Sequence, residues 1–148
     1  MLRRTFLFLA AAGGALAAAG QAAAAEHRVQ MLNRGPGGAM VFSPALVRAR
    51  VGDTVRFVPT DPGHNAETIP GMLPPGVAVT RGAIGREFLL RVARPGVYGV
   101  KCTPHYGLGM VALVVVGDGS PNRAAAAAAG ARAPGQARRR FADLFGRL

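Results

Sequence analysis

At 148 residues the chain is long enough for one domain with extensions. Its net charge is +11 at pH 7, yet it has no Trp and few aromatics among its arginines, which argues against a nucleic-acid-binding protein. A single cysteine excludes an internal disulfide.

Residues 1–25 read as an export signal. Arg3 and Arg4 form a basic start, Phe6 to Leu9 opens an apolar stretch, and Ala23-Ala24-Ala25 is a small-residue cleavage site before Glu26. A membrane anchor would need about 20 apolar residues without such a site, and this stretch is broken at Gly13-Gly14, Gly20 and Gln21. No stable membrane insertion is therefore expected after cleavage. The arginine pair resembles a Tat signal, but Leu2 and Phe8 depart from that motif, so Sec and Tat both remain open. Either route leads to the periplasm.

Residues 26–118 read as short strands separated by Gly and Pro turns. Val47, Ala49 and Val51 alternate with Arg48 and Arg50. Val55 and Phe57 alternate with Thr54 and Arg56, and Phe88, Leu90 and Val92 with Glu87, Leu89 and Arg91. This period of two is that of a strand with one buried face. Turns are expected at Gly35 to Gly38, Gly52-Asp53, Pro74 to Gly76 and Pro95-Gly96. The unbroken apolar run Met110 to Val116 predicts a strand buried on both faces. The sum is an all-β sandwich.

Residues 119–148 change character. Ser120 is placed to cap a helix with Pro121 at its first position, running through Ala124 to Ala129 and ending at Gly130. A low-complexity linker is the competing reading. Ala137, Phe141, Leu144, Phe145 and Leu148 then recur with helical spacing, and Arg138, Arg139, Arg140 and Arg147 fall mostly off that stripe. The expectation is a helix docked on the sandwich, whose deletion lowers stability and spares the site. The alternative is a basic amphipathic segment that touches a membrane or partner.

The candidate site lies in Cys102-Thr103-Pro104-His105-Tyr106-Gly107-Leu108-Gly109-Met110, with a second histidine in Gly63-His64-Asn65. One thiolate, two imidazoles and one thioether form the donor set of a blue-copper electron-transfer centre. In an oxidising compartment a lone thiol calls for an occupant, and a metal supplies one. Each residue alone has a blander reading: a small buried Cys, a structural His, a core Met. Zinc could use the Cys and His pair, but a thioether suits copper better. A cysteine-protease reading lacks an oxyanion arrangement, and a strand-end Cys is a poor nucleophile.

Further segments accompany these: Met31-Leu32-Asn33, Gly38 to Phe42, Gly52 to Val55, and Lys101 to Tyr106 with Gly109-Met110. Together they resemble the pseudoazurin family of the cupredoxin superfamily, from about His27 to Asp118 and more weakly through the tail. The resemblance implies a Greek-key cupredoxin β-sandwich with two C-terminal α-helices. It implies one type 1 copper ion held by His64, Cys102, His105 and Met110. Asn65 would direct its backbone N–H at the sulfur and tie the two ligand loops, Met40 would pack near His105, and Pro104 would shape that ring's exposed edge. Met31 and Met72 read as packing residues, and His27 as an exposed residue. Two departures stand out: Leu108 replaces a common methionine, and Arg34, Arg48 and Arg50 replace lysines of a docking ring.

The function expected on this reading is a periplasmic, monomeric electron carrier and not an enzyme. The resemblance implies acidic redox partners, with a cytochrome c as donor and a nitrite reductase as acceptor. A copper carrier or storage protein is the alternative, but the chain has no Met-rich or His-rich tract. A copper oxidase would need a second copper cluster, which three histidines cannot supply.

Overall fold

The computed structural model describes residues 22–148, so most of the export-signal reading lies outside the described residues. Eight strands precede two helices: β1 Glu26–Gly35, β2 Gly38–Ser43, β3 Leu46–Ala49, β4 Thr54–Val58, β5 Glu67–Thr68, β6 Phe88–Arg91, β7 Gly96–Lys101, β8 Val111–Val116, α1 Arg123–Gly130 and α2 Gln136–Phe145. They form two four-stranded sheets, ordered β2-β1-β4-β6 and β3-β8-β7-β5. The chain crosses between sheets repeatedly. β1 runs parallel to β4, β3 runs parallel to β8, and β7 and β8 form an antiparallel pair. Among the described residues no helix is long and apolar enough to cross a membrane.

The alternating strands fold as expected. Val55 and Phe57 of β4 and Phe88 and Leu90 of β6 point between the sheets, while Leu89 faces solvent. Val51 differs: it lies beyond the end of β3 and is 56% exposed. The inter-sheet core joins Val29, Met31, Phe42, Phe57, Tyr98 and Val100 to Cys102 and Met110. Phe42 and Phe57 meet edge to face at 5.3 Å, and burying each such ring contributes about 1.5–3 kcal/mol.

β8 is buried along its whole length. Ala112, Val114 and Val116 join the inter-sheet core, while Val111, Leu113 and Val115 lie under the helices with Ala126, Ala137, Phe141 and Leu144. The tail is therefore a third layer that removes a second face of this strand from water. Met72 is also fully buried there, against Gly99, where an added Cβ would meet it at 2.7 Å.

The start of α1 differs from expectation. Its N-cap position is Asn122, not Ser120, and the Asn122 side chain does not cap the helix. The amide instead accepts from the Val97 N–H at 2.7 Å and donates to the Val97 carbonyl at 2.8 Å. It satisfies the backbone of β7 as a neighbouring strand would. His27 also differs: its Nε2 lies 2.9 Å from Asp53 Oδ2, so it is paired and largely covered.

Candidate metal centre

Two chain segments converge at one end of the sandwich. The first turns through Gly63, whose φ of +86° suits glycine, and presents His64 and Asn65 before β5. The second leaves β7 at Cys102 and returns at Met110. That excursion is closed by its own backbone: Cys102 N–H donates to the Met110 carbonyl at 3.0 Å, and Met110 N–H to the His105 carbonyl at 3.1 Å. A loop pinned this way holds its side chains without help from solvent.

His64 Nδ1, His105 Nδ1 and Cys102 Sγ all lie within 4.8 Å of one another. The two nitrogens are 3.1 Å apart, and the sulfur is 3.8 Å from His64 and 3.5 Å from His105. An ion bound at about 2 Å by nitrogen and about 2.3 Å by sulfur requires edges of about 3–4 Å. The three donors are thus already spaced for a common metal. Met110 is fully buried in the same core cluster as Cys102, at the other end of the same loop.

The tautomer of His64 follows from its other nitrogen. Nε2 lies 2.7 Å from Asn33 Oδ1, and an amide oxygen only accepts, so Nε2 carries the proton. Nδ1 is left with a lone pair facing the cluster. Burial, reinforced by the neighbouring His105, holds this imidazole below its usual pKa. Burial pushes the Cys102 thiol up, while the Asn65 and His105 backbone N–H groups pull it down. A bound cation replaces the thiol proton, so metal uptake and proton release are linked.

Asn65 bridges the two segments through its side chain. Its Oδ1 accepts from Thr103 N–H at 2.7 Å, and its Nδ2 donates to Gly82 O at 3.0 Å and Thr103 Oγ1 at 3.2 Å. Pro104 is exposed and precedes His105, which is only partly covered, in contrast to the fully buried His64. Met40 is partly buried against the core in a left-handed backbone, φ +51°. Leu108 is 56% exposed on the loop.

Two residues at the site carried no role in the sequence reading: Asn33, which orients His64, and Arg140, whose guanidinium reaches the loop from α2. The arginines named for a docking ring also separate. Arg34 follows Asn33 at the cluster end. Arg48 pairs with Val115, towards the far end of β8 from Met110, and donates to the Arg147 carbonyl. Arg50 lies beside the Asp53 turn, beyond β3. Parallel pairing of β3 with β8 carries both away from the ligand loop.

A family model described as copper binding proteins, plastocyanin/azurin family, matches residues 29–117. The chain is 52% identical to a pseudoazurin of Methylorubrum extorquens over 126 residues, 85% of each chain. It is 53% identical to a pseudoazurin of Paracoccus pantotrophus over 132 residues, 89% of this chain and 90% of that one. Among solved structures, a pseudoazurin from Methylobacterium extorquens superposes with a TM-score of 0.78 at 49% identity, covering 82% of this chain and 98% of that one.

Proposed function

The chain belongs to the plastocyanin/azurin family of copper-binding proteins, in its pseudoazurin branch, and from its blue-copper electron-carrier role we propose that it works in the periplasm as electron donor to a nitrite reductase. The observation that carries the reading is the set of three donors, His64, Cys102 and His105, within 4.8 Å. In this reading residues 1–25 direct export, 26–118 hold the metal and 119–148 brace the sandwich. His64, Cys102, His105 and Met110 are the ligands.

Copper bound there supplies a one-electron Cu(II)/Cu(I) couple. Two imidazoles and a thiolate with a thioether suit neither oxidation state alone, so little rearranges on transfer. Asn33 fixes the His64 ring, and Asn65 fixes the distance between the two ligand loops. His105, the less buried imidazole, is the route for the electron. Around it Pro104, Gly107 and Leu108 are exposed, a small apolar patch fit for a brief encounter. Ile84, 52% exposed and next to Gly85, which bonds the His64 carbonyl, is a further exposed apolar side chain. Arg34, together with Arg138 on the first turn of α2, supplies positive charge nearby, fit for acidic partners. The protein acts as a monomer that meets a cytochrome c and a nitrite reductase in turn, and is not itself an enzyme.

The test is stopped-flow mixing of the copper-loaded protein with reduced cytochrome c, then with a copper nitrite reductase and nitrite. Uptake of one electron per chain followed by reoxidation is expected. A chain that is reduced but never reoxidised by the reductase would remove that partner from the proposal.

A further inference from the structure

The ligand loop is held from outside by α2, and one side chain of that helix ties the loop to the start of β2. Arg140 Nη1 donates to the Gly109 carbonyl at 2.8 Å and to the Met40 carbonyl at 3.0 Å, and Nη2 donates to the Ala39 carbonyl at 3.1 Å. These acceptors belong to two segments, the start of β2 and the end of the ligand loop. Arg140 lies 31 residues from Gly109 and 100 from Met40 in the chain.

The Gly109 carbonyl and the Met110 N–H belong to one peptide plane. Arg140 holds its oxygen, and the His105 carbonyl holds its N–H at 3.1 Å. The plane that follows is held too, because the Met110 carbonyl accepts from the Cys102 N–H at 3.0 Å; with both flanking planes held, the direction in which the Met110 side chain leaves the backbone is set. The helix start adds a second hold: the free N–H of Gln136, in the first turn of α2, donates to the Gly107 carbonyl at 2.9 Å. Two glycines make this approach possible. A Cβ on Gly109, φ +93°, would lie 2.9 Å from Arg140 Cδ, and one on Gly135, φ +51°, would run into the Gly107 carbonyl.

Resting on the copper reading above, we propose that Arg140 is a positioning residue for the metal. By gathering the Ala39, Met40 and Gly109 carbonyls it sets how Met110 approaches copper and how firmly the loop retains it. An arginine suits this task because its planar fork serves several acceptors at once, which the single ammonium of lysine does less well. The tail is therefore part of the site's support, and its removal would alter the site, contrary to the expectation drawn from the sequence.

The experiment compares Arg140→Gln, Arg140→Lys and Arg139→Gln with the parent, all as full-length copper-loaded protein. Arg139 is exposed on the same helix and loses the same charge. The readouts are the intensity ratio of the two thiolate-to-copper bands, the reduction potential, and the rate at which a chelator removes copper. Arg140→Gln is expected to shift the band ratio and the potential, and to lose copper on the order of 10-fold faster. Arg140→Lys should fall between Gln and parent, and Arg139→Gln should match the parent. Should Arg140→Gln fail to fold, Arg140→Lys carries the same comparison. Parent-like bands and copper loss in both Arg140 variants would overturn the proposal, as would an equal shift in Arg139→Gln, which would assign the effect to charge alone. If the parent itself shows no thiolate-to-copper bands, the copper reading fails instead.

Discussion

The His64 ring is oriented by Asn33, the ligand loops are joined by Asn65, and the Met110 peptide plane is held by Arg140. The four proposed ligands could be picked out in the sequence because their types are rare in this chain and three of them share one short loop. Asn33 and Arg140 were not, because each acts across the fold from another element, and both are residue types that usually occupy surfaces. Two substitutions test this scale. Met110→Gln should keep copper and lower the reduction potential, because a harder oxygen ligand favours Cu(II); cyclic voltammetry reads it, and an unchanged potential would remove Met110 from the ligand set. Asn65→Ala leaves the buried amide's partners on Thr103 and Gly82 unserved and should cost about 1–3 kcal/mol of stability, read by urea unfolding of the apo-protein.

β8 shows how far periodicity reaches. An unbroken apolar run predicted burial on both faces, and the structure supplies the second cover as α1 and α2. The stripe Ala137, Phe141 and Leu144 faces that strand as expected. The start of α1 was misread because Ser-Pro is a strong local capping signal, whereas Asn122 is drawn away by a long-range bond to β7. A second long-range anchor is Asp53, which accepts from the backbone N–H of Arg50, from His27 and from the Ala25 N–H. These bonds, the Arg50 N–H foremost, lower its pKa from 3.8 to about 2. The Arg50 and His27 contacts lie within residues 26–118 and survive removal of the export signal. A carboxylate with a depressed folded pKa stabilises the fold above its unfolded pKa and loses that contribution as pH falls towards the folded value. The thermal midpoint of the parent should therefore exceed that of Asp53→Asn at pH 6, with the gap closing between pH 4 and pH 2. A constant gap would show that the carboxylate charge is not what stabilises this turn.

For the whole molecule, charge is unevenly distributed along the chain. Residues 26–118 carry ten basic and six acidic residues, and residues 119–148 six basic and one acidic. The sign of the charge was legible from composition, but its placement was not, because strand pairing decides which arginines face the ligand loop. Arg34 and Arg138 lie at that end, and Arg50 lies by the distant Asp53 turn. Electron transfer to an acidic partner should slow as ionic strength rises. At low salt, Arg138→Glu should slow it several-fold and Arg50→Glu should have less effect. Equal slowing would mean that net charge, not a localised face, guides the encounter.

The electron-carrier reading depends on one thiolate bonded to copper. The visible absorption spectrum of the purified full chain loaded with Cu(II) tests that bond directly. An intense thiolate-to-copper band, lost in Cys102→Ser, is the expected result. A colourless protein whose Cys102 thiol still reacts with a thiol reagent after copper addition would contradict it.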